Sequence, residues 1–148
     1  MLTRTHFVFG VFVGLLLMRF NFGWLFFGFL VLGSVFVDID SRKSRVGKRW
    51  WLRPLQWFVK HRGFFHSLVF ALLFSLVVAV FNRMAGAGFF VGYVSHLFLD
   101  VFTRAGVKVF WPLEWKIKGF IKSGGLVEEV LFVLLLLVDI FLIARIVL

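Results

Sequence analysis

The sequence predicts an all-α, polytopic integral membrane protein with about five transmembrane helices in a single domain, residues 1–148. Hydrophobic residues make up 61% of the chain and aromatic residues 20%, with a mean hydropathy of +1.00, far above the average of soluble proteins. The apolar residues are gathered into five runs that short polar turns or basic loops separate, a pattern typical of membrane helices. Cysteine is absent, so disulfides and thiolate metal ligands are excluded.

The five apolar runs are predicted helices, and they cover residues 7–18, 23–37, 68–81, 86–102 and 126–148. No small-residue cleavage site follows the first run, so we expect a retained helix and not a signal peptide. Several runs are shorter than the roughly 20 residues that a membrane span requires. We therefore expect flanking polar residues, such as His6, Asp38 and His66, to join the helices.

The distribution of basic residues predicts the orientation of these helices. Of the 17 Lys and Arg residues, 14 fall at Arg4, between residues 42 and 62, or between residues 104 and 122. Five alternating helices would bring all three regions to one side, which the positive-inside rule assigns to the cytoplasm. The formal net charge of +10 is then better explained by anionic membrane lipid than by nucleic acid. For the same reason we expect the segment with Trp50, Trp51 and Trp57 to lie on lipid headgroups.

Imidazole and carboxylate side chains stand at the predicted cytoplasmic ends of all five helices. Because the helices alternate in direction, these residues should converge at one membrane level, at the cytoplasmic interface. Without thiolates, they could bind a metal ion only through nitrogen and oxygen atoms. The candidate metal ligands are His6, Asp38, Asp40, His61, His66, His96, Asp100 and Glu128.

Helical spacing supports a shared site. At the start of the first helix His6, Gly10 and Gly14 are spaced four residues apart, so they share one helix face. The two glycines form a small-residue strip suited to close helix packing. The fourth run carries one polar stripe, made of Tyr93, His96, Asp100 and Thr103. His96 and Asp100 are one turn apart, so they could bind one cation, or the carboxylate could orient the imidazole.

Several residues allow a second interpretation. A single ionisable residue at a membrane helix end is more often an interface anchor than a ligand. Metal binding is favoured only because many ligand-type residues fall at the same membrane level. His61 and His66 are five residues apart, so His61 would lie in a loop and His66 at or just before the third helix. Ser67 could equally be a simple helix N-cap. Arg62 could bind a phosphate oxygen or anchor the interface, and Asp139 has no assigned role.

The polar motifs resemble those of the YdjM-type inner-membrane proteins, a family described as metal-dependent hydrolases, some of them LexA-regulated. The matching residues are Thr5-His6 with Gly10, Asp38-Ile39-Asp40, His61-Arg62-Gly63-x-x-His66-Ser67, Gly92-Tyr93-x-Ser95-His96-Leu97-x-Leu99-Asp100 with Thr103 and Gly106, Trp111-Pro112, and Gly124-Gly125-x-x-Glu128. The resemblance implies that the family's metal and catalytic positions fall on the eight candidate ligands. The family has also been likened to zinc-dependent phospholipase C, which implies a helical scaffold with clustered metal ions.

The resemblance implies a membrane-bound, metal-dependent hydrolase. A site at headgroup depth, ringed by basic residues, indicates a phospholipid or another amphiphilic phosphoester as its substrate. Eight ligands are too many for one tetrahedral zinc ion, so we expect two or more divalent ions. Zinc is the expected metal, and manganese and magnesium are the alternatives. Asp40 or Glu128 could serve as a general base instead of a ligand, and the sequence does not separate these two roles. Arg62 or a loop lysine could neutralise charge on a phosphoryl group. The alternatives are a divalent-metal or proton transporter and a membrane protein with a purely structural metal.

Overall fold

The computed structural model describes residues 1–41, 47, 49–50, 53 and 63–148. Within them the chain is all-helical, as predicted, with five α-helices: α1 (Thr3–Met18), α2 (Gly23–Phe36), α3 (Leu68–Phe81), α4 (Arg83–Val101) and α5 (Leu126–Val147). Extended pairing in this part of the chain is limited to two isolated bridges.

Polar residues extend the first two helices, as the sequence predicts. α1 begins at Thr3, so His6 lies inside its first turns. α2 continues directly into a 3-10 segment, Val37–Asp40, which carries Asp38 and Asp40. The turn between the two helices contains Asn21 at φ 60°, a left-handed conformation that asparagine tolerates.

His66 does not lengthen α3, contrary to expectation. It lies in a separate 3-10 turn, Phe64–His66, because Ser67 adopts an extended conformation and caps α3 by accepting a hydrogen bond from Phe70 N at 3.2 Å. The N-cap interpretation of Ser67 and the predicted position of His66 are therefore compatible. Ser67 is the N-cap, and His66 stands just before the helix.

The predicted turn at residues 82–85 is reduced to one residue. Asn82 is extended, and its side chain accepts a hydrogen bond from Ala85 N at 3.1 Å. This cap lets α4 begin at Arg83, three residues earlier than the apolar pattern indicates.

Among the residues that the structure describes, three helical segments are long and apolar enough to cross a membrane: Gly23–Asp40, Arg83–Val101 and Leu126–Val147, with 18, 19 and 22 residues. The other two helices, α1 and α3, have 16 and 14 residues. At 1.5 Å per residue they reach about 24 and 21 Å, less than the roughly 30 Å of a hydrocarbon core. The predicted five-helix arrangement thus consists of three full-length and two shorter apolar helices.

The long helix α4 is the centre of the bundle, and it packs on α2, α3 and α1. Glycines bring the backbones of α2 and α4 together. A Cβ at Gly88 would clash with the carbonyl group of Phe26, and one at Gly92 with Leu30 O and Ser34 N. α5 packs mainly on α1 and is otherwise largely exposed.

The segment between α4 and α5 folds back on itself, and we refer to residues 103–121 as the 103–121 loop. Its two arms pair at Val107 and Ile117, which exchange backbone hydrogen bonds of 2.9 and 3.0 Å. Val109 O also accepts from Leu68 N at 2.9 Å. This loop therefore closes the end of the bundle where α3 begins and α4 ends.

Candidate metal centre

Six of the eight predicted ligands meet in one buried cluster at the end of the bundle that the 103–121 loop closes. Each is 6% exposed or less, and ion-pair distances of 3.0 to 3.9 Å connect them. We refer to these residues as the His/Asp cluster: His6, Asp38, Asp40, His66, His96 and Asp100. They come from α1, from the 3-10 extension of α2, from the turn before α3, and from α4.

Asp100 is at the centre of the His/Asp cluster. Its Oδ1 lies 3.4 Å from His6 Nε2, and its Oδ2 lies 3.8 Å from His96 Nε2 and 3.9 Å from His66 Nε2. The amino group of Met1 also lies 2.5 Å from Oδ1. Three imidazole nitrogens of one type thus surround a single carboxylate.

His96 presents one nitrogen to the interior of the cluster. Its Nδ1 lies 2.7 Å from the carbonyl oxygen of Ser34, and since a carbonyl only accepts, Nδ1 carries the proton and donates. The lone pair is then on Nε2, which is buried and has no hydrogen-bond partner within the described part of the chain. A histidine held through its other nitrogen in this way is typical of a metal ligand.

His66 has a carboxylate next to the ring nitrogen that faces away from Asp100. Its Nδ1 lies 3.0 Å from Asp40 Oδ2, while its Nε2 points towards Asp100. A carboxylate behind an imidazole fixes the orientation of the ring and makes the opposite nitrogen a better ligand. Asp40 is therefore placed behind His66, on the side away from Asp100.

His6 packs face to face on His96. The ring centroids are 3.6 Å apart and the planes differ by 10°. Two charged imidazolium rings would repel at this distance, so the packing favours neutral rings, the form that binds metal. Neither ring nitrogen of His6 has a hydrogen-bond partner among the residues that the structure describes.

Two groups of residues in the cluster could hold a metal ion: His6, His96 and Asp100, and Asp38, His66 and His96. In each group the ligand atoms lie within 4.8 Å of one another. The donor set is imidazole and carboxylate, which suits zinc and also manganese. Both ring nitrogens of His6 and the Nε2 of His96 are buried without a hydrogen-bond partner from the described residues. They fit such an ion, because burying a polar atom without a partner costs free energy. His96 belongs to both groups. Its Nδ1 is bonded to Ser34 O, so only Nε2 is left to bind metal, and His96 can bind one ion at a time.

Glu128 lies outside these two groups. It is 1% exposed, and its carboxylate accepts hydrogen bonds from Leu2 N at 2.5 Å, Thr5 Oγ1 at 2.8 Å and Gly124 N at 2.7 Å. These bonds fasten the start of α1 to the start of α5. The predicted role of Glu128 as ligand or general base stays a prediction.

Two other predicted residues, His61 and Arg62, lie outside the described residues, as do Trp51 and Trp57. Their predicted roles as a metal ligand, a phosphate-binding group and headgroup contacts stay predictions.

Sequence reasoning did not single out the groups that position the ligands. Ser34 supplies the carbonyl for His96, and Thr3 Oγ1 donates to Asp38 Oδ2 at 2.6 Å. Helical spacing could have pointed to both residues. Ser34 stands one turn before Asp38, and Thr3 stands in the same first turn as His6.

The profile of the YdjM inner membrane protein family matches residues 1–146. The chain belongs to this family. The inner membrane protein YdjM of Escherichia coli (strain K12) is 38% identical over 97 residues, which cover 60% of this chain and 50% of that relative. The YdjM protein of Shigella flexneri has the same values.

A relative from Bacillus subtilis (strain 168), the uncharacterized protein YvsG, is 27% identical over 104 residues, which cover 66% of this chain and 65% of YvsG. The matched region spans about half the length of the two YdjM relatives. No solved structure matches the chain. The predicted family is thus confirmed, and the inner-membrane location in the relatives' names agrees with the three apolar spans.

Proposed function

We propose that this YdjM-family protein is a membrane-bound, metal-dependent hydrolase whose His/Asp cluster binds divalent metal ions. One observation carries the proposal: three buried imidazole Nε2 atoms lie 3.4 to 3.9 Å from the oxygens of one buried carboxylate, Asp100. Burying such a group of polar atoms in an apolar bundle costs free energy, and a bound metal ion would offset that cost.

Each residue of the cluster has a distinct part in this proposal. His6, His96 and Asp100 hold one ion, and Asp38 and His66 contribute to a second. Asp40 and the Ser34 carbonyl position the imidazoles of His66 and His96. A bound divalent ion supplies Lewis acidity and lowers the pKa of water towards neutrality. Zinc is the expected ion, with manganese or magnesium as alternatives.

The proposed substrate is a phospholipid or another amphiphilic phosphoester. Two features support this class: the cluster sits at one end of an apolar bundle, and the basic 103–121 loop closes that same end. By the positive-inside rule this end faces the cytoplasm. The general base predicted at Asp40 or Glu128 stays a prediction, and Arg62 would neutralise charge on the phosphoryl group.

Hydrolysis of a phosphodiester by detergent-purified protein tests the proposal. We expect activity that a chelator abolishes and that added zinc or manganese restores, and we expect Asp100→Ala to lack it at every metal concentration. Arg83→Gln, at the opposite end of α4, is the matched control and should keep full activity. Activity that persists after complete removal of metal would contradict the proposal.

A second candidate function is ion or proton transport, and Asp139 is the observation that favours it. This acidic residue lies midway along α5, is 4% exposed, and its Oδ1 has no hydrogen-bond partner in the described ranges. Buried carboxylates at membrane depth often mark ion pathways. Proton or metal flux in proteoliposomes that Asp139→Asn abolishes would favour transport over hydrolysis.

A further inference from the structure

The 103–121 loop exposes an unusual number of large apolar side chains. Trp115 is 76% and Phe120 72% exposed, and further exposed side chains follow along the same loop: Phe110, Trp111, Leu113 and Ile117. The loop also carries four basic residues, Arg104, Lys108, Lys116 and Lys118, against the single acidic residue Glu114. Its surface is therefore both aromatic and positively charged.

The backbone of this loop is fixed to the elements that carry the His/Asp cluster. Ile121 N donates to Phe102 O at 2.9 Å and Gly119 N to Thr103 O at 3.0 Å, which hold one arm against the end of α4. The Trp111 ring packs on Phe64 at 4.8 Å, next to the turn that contains His66. The exposed aromatic side chains thus stand at a set position relative to the cluster.

Exposed tryptophan beside lysine is typical of the membrane interface, where the ring lies among headgroups and the cation meets phosphate. Lys108 is 3.5 Å from Glu114, so we assign the charge that meets a partner to Arg104 and Lys118. Arg104 uses its Nε to donate to Phe120 O at 3.0 Å, which ties one cation to one exposed aromatic residue. Positive charge and aromatic rings together complement an anionic lipid surface.

We propose that the 103–121 loop binds the headgroups of anionic phospholipids and thereby sets the depth of the His/Asp cluster in the membrane. The loop would bind phosphatidylglycerol-type lipids in preference to zwitterionic ones. This inference does not depend on hydrolysis, because it rests on the exposed surface of the loop alone.

Tryptophan fluorescence in lipid vesicles tests the proposal. The chain has six tryptophans, so the signal of Trp115 is taken as the difference between the wild type and Trp115→Phe. At low salt we expect brominated phosphatidylglycerol to quench Trp115 about twofold or more beyond brominated phosphatidylcholine at the same mole fraction. This preference should shrink at high salt, because salt screens exposed charges.

The double variant Arg104→Gln/Lys118→Gln should lose the preference for the anionic lipid while still being quenched. Arg83→Gln/Arg145→Gln, which removes two basic residues at the other end of the helices, is the matched control and should keep the preference. Equal quenching by both lipids at every salt concentration would overturn the proposal. Absence of quenching by either lipid would overturn it too, because Trp115 would then face water or another protein.

Discussion

The tautomer of His96 depends on a single main-chain oxygen, Ser34 O, and on the glycine that lets it approach. A Cβ at Gly92 would clash with Leu30 O and Ser34 N, so Gly92→Ala should push α2 away from α4 and lengthen the 2.7 Å contact to His96 Nδ1. We expect metal affinity to fall about 10-fold or more, as for other losses of a group behind a ligand.

The matched control for this variant is Gly28→Ala in α2, because a Cβ there would meet nothing within 4 Å. Competition titration with a zinc chelator measures the affinity of each protein. Equal affinities for the wild type and Gly92→Ala would show that Ser34 does not position His96.

Glu128 offers a second residue-scale prediction, because its three hydrogen bonds describe an anchor. Glu128→Gln replaces one acceptor oxygen with a donor, so we expect the free energy of unfolding to fall by about 1 to 3 kcal/mol while the metal content stays unchanged. The control is Glu129→Gln, which removes the exposed ion pair with Arg4. It should lower the free energy of unfolding by less than about 1 kcal/mol. If Glu128→Gln loses metal, then Glu128 is a ligand as the sequence predicts.

At the scale of elements, the apolar pattern predicted the five helices but not how some of them begin. α4 starts three residues before its apolar run because the side chain of Asn82 caps it. The cap at Ser67 makes α3 begin at Leu68, so His66 does not join that helix. The pairing within the 103–121 loop was not predicted, since it joins residues such as Val107 and Ile117 that share no local pattern. Caps and non-local pairs depend on three-dimensional contacts, which periodicity does not report.

The Ser67 cap gives a prediction for α3. Ser67→Ala removes the acceptor for Phe70 N, so we expect α3 to lose about 1 kcal/mol of stability and His66 to be held less firmly. Thermal unfolding in detergent measures the first effect. Ser123→Ala, in the exposed segment before α5, is the control. An unchanged melting temperature in Ser67→Ala would contradict the role of the cap.

At the scale of the whole molecule, helix alternation alone predicted that the ligands would meet at one end of the bundle. The sequence did not show which of the eight lies at the centre of the site, because residue type and spacing carry no distances between separate helices. The structure separates Asp100 at the centre from Asp40 behind His66 and from Glu128 on the start of α1. Such differences depend on distances of a few ångströms between separate helices.

The orientation of the whole molecule is testable because the chain has no cysteine. We expect Lys118→Cys, in the 103–121 loop, to be shielded from a membrane-impermeant maleimide in intact cells and labelled in inverted vesicles. Arg145→Cys, near the far end of α5, should show the reverse pattern. The opposite result for both variants would place the cluster outside the cytoplasm.

The most direct test of the account is the metal content of the detergent-purified protein, measured by elemental mass spectrometry. The account predicts two or more equivalents of zinc or manganese in the wild type, with a loss in His66→Ala and Asp100→Ala. Asp139→Asn, about 16 Å further along α5 than Glu128 at 1.5 Å per residue, is the control and should keep the wild-type content. A metal-free wild type that does not rebind added ions, with variants that behave identically, would contradict the central claim.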